Sequence, residues 1–164
     1  MSTYFDYIMI PLQLLIVFFT IYYFTLSFFG LFGKKKETKI YDEVKTFALI
    51  VCAHNEERVI GQLVENLKLL NYDHKLYDIY VVADNCQDQT ATVAAQAGAL
   101  VYERFSDSGK GKGFALEWMF HRLFAMEKKY DAVCIFDADN LVHPNFLKEM
   151  NSRLCHGEKI IQGY

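Results

Sequence analysis

Hydrophobic positions follow two different patterns along this chain. From Tyr7 to Phe32 (YIMIPLQLLIVFFTIYYFTLSFFGLF) there is no charged side chain. At about 1.5 Å per residue, a helix of that length exceeds the roughly 20 residues needed to cross a bilayer core. Pro11 stands near the start, where a helix tolerates it best. Tyrosines near the ends suit a headgroup interface. The segment is apolar on every face and lacks the basic start and small-residue cleavage site of a signal peptide. The pattern predicts a membrane anchor helix within 1–33, with a buried core helix as the alternative.

After a basic and polar linker at 34–45, the apolar residues alternate between strand-like and helix-like spacing. Phe47 to Ala53 (FALIVCA) is a continuous apolar run, as expected of a strand buried on both faces. From Glu57 to Leu70, apolar residues at Val59, Ile60, Leu63, Val64, Leu67 and Leu70 recur at helical spacing. Strands are predicted at Asp78 to Ala83, Ala99 to Arg104 and Ala132 to Phe136, with a fifth beginning at Lys159 to Gln162. Helices are predicted at Thr90 to Ala97, Lys112 to Lys129 and Pro144 to Leu154. The order β-α-β-α-β-α-β-α-β predicts an α/β domain over 46–164, with a mostly parallel sheet covered by helices on both faces.

Composition changes little in this picture. The chain has 164 residues, 52% of them hydrophobic, and a formal net charge of −3. That excludes a disordered chain and a basic nucleic-acid tail, so no nucleic acid is expected as a partner. Asp6 is the only charged residue before Lys34-Lys35-Lys36. By the positive-inside rule this predicts a cell-membrane protein with its N-terminus outside and the α/β domain in the cytoplasm. Cys52, Cys86, Cys134 and Cys155 show no metal or disulfide spacing and read as free, buried thiols.

In open parallel sheets, ligands bind outside the carboxyl ends of the strands. Those ends carry His54-Asn55-Glu56-Glu57, then Asp84-Asn85-Cys86-Gln87-Asp88, then a loop ending in Gly109-Lys110-Gly111-Lys112-Gly113, then Asp137-Ala138-Asp139-Asn140. The four groups are expected to converge on one crevice. Asp137 and Asp139 can together hold a hard cation, Mg²⁺ or Mn²⁺, completed by substrate phosphate and water. Asp84 can accept hydrogen bonds from a ribose or a base edge, while Asp88 is the better helix cap. Glu56 is a binding candidate; Glu57 suits the first turn of a helix. The glycine-rich loop can approach a diphosphate with Lys112, and less directly with Lys110, but it is no Walker A loop, since Gly113 follows the lysine.

The segments CAHNEE at 52–57, VVADNCQDQT at 81–90, GKGKGFAL at 109–116 and FDADN at 136–140 resemble the inverting family 2 glycosyltransferases. Those enzymes have the GT-A fold, which is Rossmann-like. The resemblance is greatest to the membrane-attached synthase branch, which includes cellulose, hyaluronan and poly-N-acetylglucosamine synthases. It implies a nucleotide-diphosphate-sugar donor, a UDP-sugar for preference, a divalent metal (Mn²⁺ or Mg²⁺), a glycan or lipid acceptor, and attachment to a lipid bilayer. By position it implies that Ala53, His54 and Glu56 line the nucleoside, that Asp84 reads the base or ribose, and that Lys112 lies near the diphosphate. Asp137 and Asp139 match the D-x-D, with Asp139 the more direct metal ligand. The family often has Pro at Cys52, Tyr at His54 and a second Asp at Asn85.

Family members place the catalytic base after the fifth strand, and the synthase branch adds a Q-x-x-R-W motif and further membrane helices. The sequence stops at Tyr164. The expectation is therefore a fragment: a donor-binding half-domain whose base lies beyond Tyr164 and which has little transferase activity alone. Two other readings remain at this point. One is a haloacid-dehalogenase-like phosphatase with Asp137 as nucleophile; the other is a non-catalytic, membrane-anchored nucleotide-binding module.

Overall fold

The computed structural model describes residues 2–31 and 41–163. The Lys34–Lys36 run behind the predicted orientation lies outside them. The chain divides into two units, Met1–Glu37 and Thr38–Tyr164.

The first unit is one helix, α1 (Ser2–Leu31), with Pro11 inside it. Its Met9–Phe29 stretch is long and apolar enough to cross a membrane. Two of its few polar side chains are satisfied within the helix. Thr20 Oγ1 donates to the Ile16 carbonyl at 2.8 Å and Thr25 Oγ1 to the Ile21 carbonyl at 2.7 Å. An apolar medium would require such internal pairing of hydroxyls.

The second unit contains β1 (Phe47–Ala53), α2 (Ile60–Lys68), β2 (Tyr77–Asp84), α3 (Thr90–Ala97), β3 (Leu100–Arg104), α4 (Lys112–Ala125), β4 (Ala132–Asp137) and α5 (Phe146–Cys155). The strands form one parallel sheet in the order β3-β2-β1-β4. Residues on β1 alternate between two cores. Phe47, Leu49 and Val51 pack with Ile60 and Leu63 of α2, Ala94 of α3 and Leu147 of α5. Ala48 and Ile50 pack with Ala115, Met119 and Leu123 of α4. The unbroken apolar run of β1 follows from this two-sided burial, as expected. The chain runs from β1 outward to β3 and returns to β4 beside β1. That reversal is a topological switch point, and the strands' carboxyl ends meet there.

The expected fifth strand at Lys159 to Gln162 is not formed. These residues are irregular, and Ile160 is 94% exposed. Among the described residues, β4 has β1 on one side and no ladder partner on the other. Ile161 packs against the larger core instead of pairing with β4. Two helices are shorter than their apolar spacing suggests. The amides of Val59 and Ile60 both bond to the Glu56 carbonyl, so 56–59 form a turn and α2 begins at Ile60. Beyond α4, Lys129 Nζ folds back onto the carbonyls of Phe124 and Met126 and closes the helix end. All four cysteines are free, as expected, but half-buried rather than buried.

Residues 41–45, read from the sequence as linker, are fastened to the domain, and Asn151 bonds the backbone of four of them. Asn151 is fully buried on α5. Its Oδ1 accepts from the Val44 and Lys45 amides at 3.3 and 3.1 Å and from the Tyr72 hydroxyl at 3.1 Å. Its Nδ2 donates to the carbonyls of Tyr41 and Asp42 at 3.4 and 2.9 Å.

Asp131 clamps the next residue. The Thr46 amide and hydroxyl donate to Oδ2 at 2.8 and 2.9 Å, and Lys45 Nζ to Oδ1 at 3.1 Å. These bonds, the Thr46 amide foremost, hold the Asp131 carboxyl below the usual range against the opposing effect of burial. A carboxyl lowered in the folded state stabilises the fold above its unfolded value of about 3.9, and the contribution is lost as pH falls through the folded value. Thermal midpoints between pH 5 and pH 2 should therefore fall less steeply for Asp131→Asn than for the unaltered chain. Equal slopes would remove this clamp from the account.

Candidate functional site

The site is built from turns at the ends of β1 and β2. Asn55 and Asn85 follow these strands with φ of 56° and 52°. Asparagine is among the few non-glycine residues that adopt this left-handed conformation readily. Each then fastens a neighbouring loop. Asn55 Oδ1 accepts the Gln87 amide at 2.8 Å, and Asn85 Oδ1 accepts the Ser106 amide at 2.9 Å. The Asn85 amide donates to the Arg104 carbonyl at 2.7 Å. His54 bridges the same two strand ends, with Nδ1 2.6 Å from the Asp84 carbonyl and Nε2 3.3 Å from Asn55 Nδ2. A carbonyl only accepts, so the network assigns the ring proton to Nδ1.

Between these turns, the 105–111 loop and the start of α4 lies a cavity of about 870 Å³, lined among others by Ala53, His54, Asp84, Cys86, Lys110 and Lys112. Its floor is the end of β2. There, Asp84 Oδ1 takes a hydrogen bond from Arg104 Nη1 at 2.5 Å and another from Asn85 Nδ2 at 3.0 Å. The Asp84 and Arg104 side chains are each 8% exposed. Among the described residues, no hydrogen-bond donor reaches Asp84 Oδ2 and no enclosed side-chain atom lacks a partner. That second oxygen is therefore the one presented to the cleft.

Lys112 is the first residue of α4, preceded by Gly111 at φ 111°. It forms an ion pair with Asp137, the last residue of β4. Asp137 is held in place by Asn140, whose Oδ1 accepts the Asp137 amide at 3.0 Å and whose amide returns a bond to the Asp137 carbonyl at 3.1 Å. Gly109, at φ +74°, lies so close to the Phe114 ring that a Cβ there would sit 2.9 Å from it. A side chain there would have to push that ring aside and hold a left-handed backbone, so glycine is strongly favoured.

The convergence expected from the sequence is partial. Ala53, His54, Asp84 and Lys112 line the cavity, and Asp137 reaches it through Lys112. Glu56 and Asp139 do not line it. Glu56 is half-buried, and its amide donates to Thr90 Oγ1 at 2.8 Å, so it sits against the start of α3. Asp139 lies in the exposed turn after β4. Glu57 is not in the first turn of a helix, where the sequence placed it, because α2 begins only at Ile60. Its carboxylate accepts the Gln89 amide at 2.9 Å, while Asp88 accepts the Glu57 amide at 3.2 Å and the Thr90 amide at 3.0 Å. Cys52 also lines the cavity, but burial pushes its thiol up to about 11 despite the nearby Lys112 ammonium. A thiol so raised is a poor nucleophile.

Arg104, which bonds both Asp84 and the Gly109 carbonyl beneath the cavity, is a residue the sequence reading missed. It ends a strand whose register places it opposite Asp84. Two opposite charges closing adjacent parallel strands would have been the signal for it.

Among the described residues, no three His, Cys, Asp or Glu side chains cluster as a metal site. Asp137 and Asp139 supply exposed, hard oxygen donors on alternate residues. That donor set fits Mg²⁺ or Mn²⁺ completed by water and by oxygens of a bound diphosphate. It does not make a closed protein cage.

Residues 45–164 match the family described as "Glycosyltransferase like family 2". A relative from Haloferax volcanii, the low-salt glycan biosynthesis hexosyltransferase Agl6, is 35% identical over 115 residues, which are 68% of this chain and 26% of the relative. The chain thus spans about a quarter of that protein. Among solved structures, a mannosyltransferase from Pyrobaculum calidifontis in complex with GDP-Man and Mn²⁺ superposes with a TM-score of 0.65 at 18% identity, covering 82% of this chain and 39% of the other. Glucosyl-3-phosphoglycerate synthase from Mycobacterium tuberculosis in complex with UDP superposes with a TM-score of 0.52 at 27% identity, covering 70% and 41%.

Proposed function

Because the chain belongs to glycosyltransferase-like family 2, we propose that its cleft binds the nucleotide-diphosphate end of a sugar donor, a UDP-sugar by preference, for transfer to a glycan or lipid acceptor. The observation that carries this reading is the Asp84–Lys112 pair, a carboxylate with one oxygen open to the cleft and a lysine at a helix start in the same cavity. A base or ribose edge donates to a carboxylate. A diphosphate is drawn to an ammonium at the positive end of a helix. The synthase that binds UDP, named above, supports the choice of nucleotide.

The roles divide along the cleft. Ala53, His54 and Glu56 belong to the nucleoside side, and Asp84 Oδ2 would accept from the nucleoside. Lys112 would leave Asp137 and turn to the diphosphate, freeing that carboxylate. Asp137 and Asp139 would then hold a divalent cation, whose charge would offset that developing on the departing diphosphate. Met9–Phe29 would anchor the domain in a bilayer. The phosphatase alternative draws no support from the family to which the chain belongs.

Calorimetric titration of the full chain in detergent with UDP, with and without Mn²⁺, tests this. Binding should be tighter with Mn²⁺, and Asp139→Ala should weaken the Mn²⁺-dependent binding by on the order of tenfold or more. Metal-independent binding, or an unchanged Asp139→Ala, would contradict the assignment.

A further inference from the structure

Arg104 makes two bonds in two directions. Nη1 donates to Asp84 Oδ1 at 2.5 Å, and Nη2 donates to the Gly109 carbonyl at 2.8 Å. The first fixes which Asp84 oxygen is left for a ligand. The second ties down the glycine-rich loop just before Lys110, Gly111 and Lys112. Gly109 is further confined by the Phe114 ring. The backbone of Arg104 is itself held, because its carbonyl accepts the Asn85 amide at 2.7 Å. One buried, planar group thus spans the floor of the cleft between its nucleoside side and its phosphate side.

We propose that Arg104 is a positioning residue that couples the two halves of the donor site: it presets Asp84 for the nucleoside and the 109–112 segment for the diphosphate, so that Lys112 is effective only while the guanidinium bridges them. The inference rests on the proposed nucleotide-diphosphate reading of the cleft. Arg104 lies beneath the ligand and acts through Asp84 and Gly109. The rigid fork of arginine suits this double contact. A lysine at 104 would bring one compact ammonium to Asp84 and no second arm fixed toward the Gly109 carbonyl.

The test is a double-mutant cycle on UDP affinity, measured by calorimetry on the full chain in detergent with Mn²⁺ present. In the unaltered chain, Lys112→Ala should weaken UDP binding by about tenfold, within the usual range of site-to-site coupling. In an Arg104→Lys background, the same Lys112→Ala change should cost little, because the loop no longer holds that lysine in place. UMP, which lacks the second phosphate, should show a smaller loss than UDP on Arg104→Lys. Melting curves accompany each variant, and Arg104→Gln replaces Arg104→Lys if the latter fails to fold. A purely structural role for Arg104 would leave the cost of Lys112→Ala the same in both backgrounds, and that result overturns the coupling. Failure of the unaltered chain to bind UDP would instead overturn the nucleotide reading on which it rests.

Discussion

Arg104→Met is expected to destabilise the α/β unit by about 3–5 kcal/mol, the usual cost of leaving one charge of a buried pair without its partner. The Arg104 and Asp84 side chains are each 8% exposed and 2.5 Å apart. Methionine fills much of the same volume and supplies neither the charge nor the two donors. Asp84 Oδ1 would keep only the Asn85 amide group, and the Gly109 carbonyl would lose its inner partner. Adding Asp84→Asn to Arg104→Met should recover part of the loss, because the unpaired charge is then gone. Chemical denaturation of the three variants measures both effects. If Arg104→Met unfolds at the same denaturant concentration as the unaltered chain, the pair is not the buried keystone described above.

Asn151→Ala should cost about 3 kcal/mol, given that each buried polar group left without its partner costs about 1–3 kcal/mol and some here can turn to water. The amide is the common partner of the backbone at 41, 42, 44 and 45 and of the Tyr72 hydroxyl. Tyr72 would keep its bond to the Lys45 carbonyl at 2.8 Å, but the strap around it would be released. For a unit of this size the loss corresponds to a melting point lower by about 10 °C. Hydrogen exchange should also speed up first at the amides of Val44 and Lys45. Asn151→Asp is a sharper control. It keeps an acceptor for those amides but turns a buried, charged oxygen toward the Tyr41 and Asp42 carbonyls, so it should cost at least as much as Asn151→Ala.

Much of this architecture could be read in the sequence because local and global signals agree. The run Phe47–Ala53 is apolar at every position since β1 is buried on both faces, and the periodic apolar residues of α2 face that core. The residues after each strand were legible as chemistry because a parallel sheet brings its carboxyl ends together. What escaped depends on partners distant in sequence. Lys159–Gln162 has strand-forming composition, yet a strand exists only when another strand takes up its backbone groups. Asn151 resembles any polar residue on an amphipathic helix until residues 41–45 are seen wrapped over it. Asn85, a departure from the family's usual Asp, proves well suited to its place. Its Nδ2 donates to Asp84 while its Oδ1 accepts from Ser106, and a carboxylate could only accept. The bond from the Glu56 amide to Thr90 Oγ1 likewise joins residues far apart in sequence.

The central claim is that the cleft between the ends of β1 and β2 and the start of α4 takes a nucleoside diphosphate. Residue-resolved amide chemical shifts, followed while UDP and Mn²⁺ are titrated into the isotopically labelled full chain in detergent, test it most directly. The account predicts the largest shifts at Ala53, His54, Asp84, Asn85 and residues 109–112, with Asp137 moving as Lys112 leaves it and Asp139 responding only when the metal is present. Shifts confined to other surfaces, or none at saturating UDP, would contradict it.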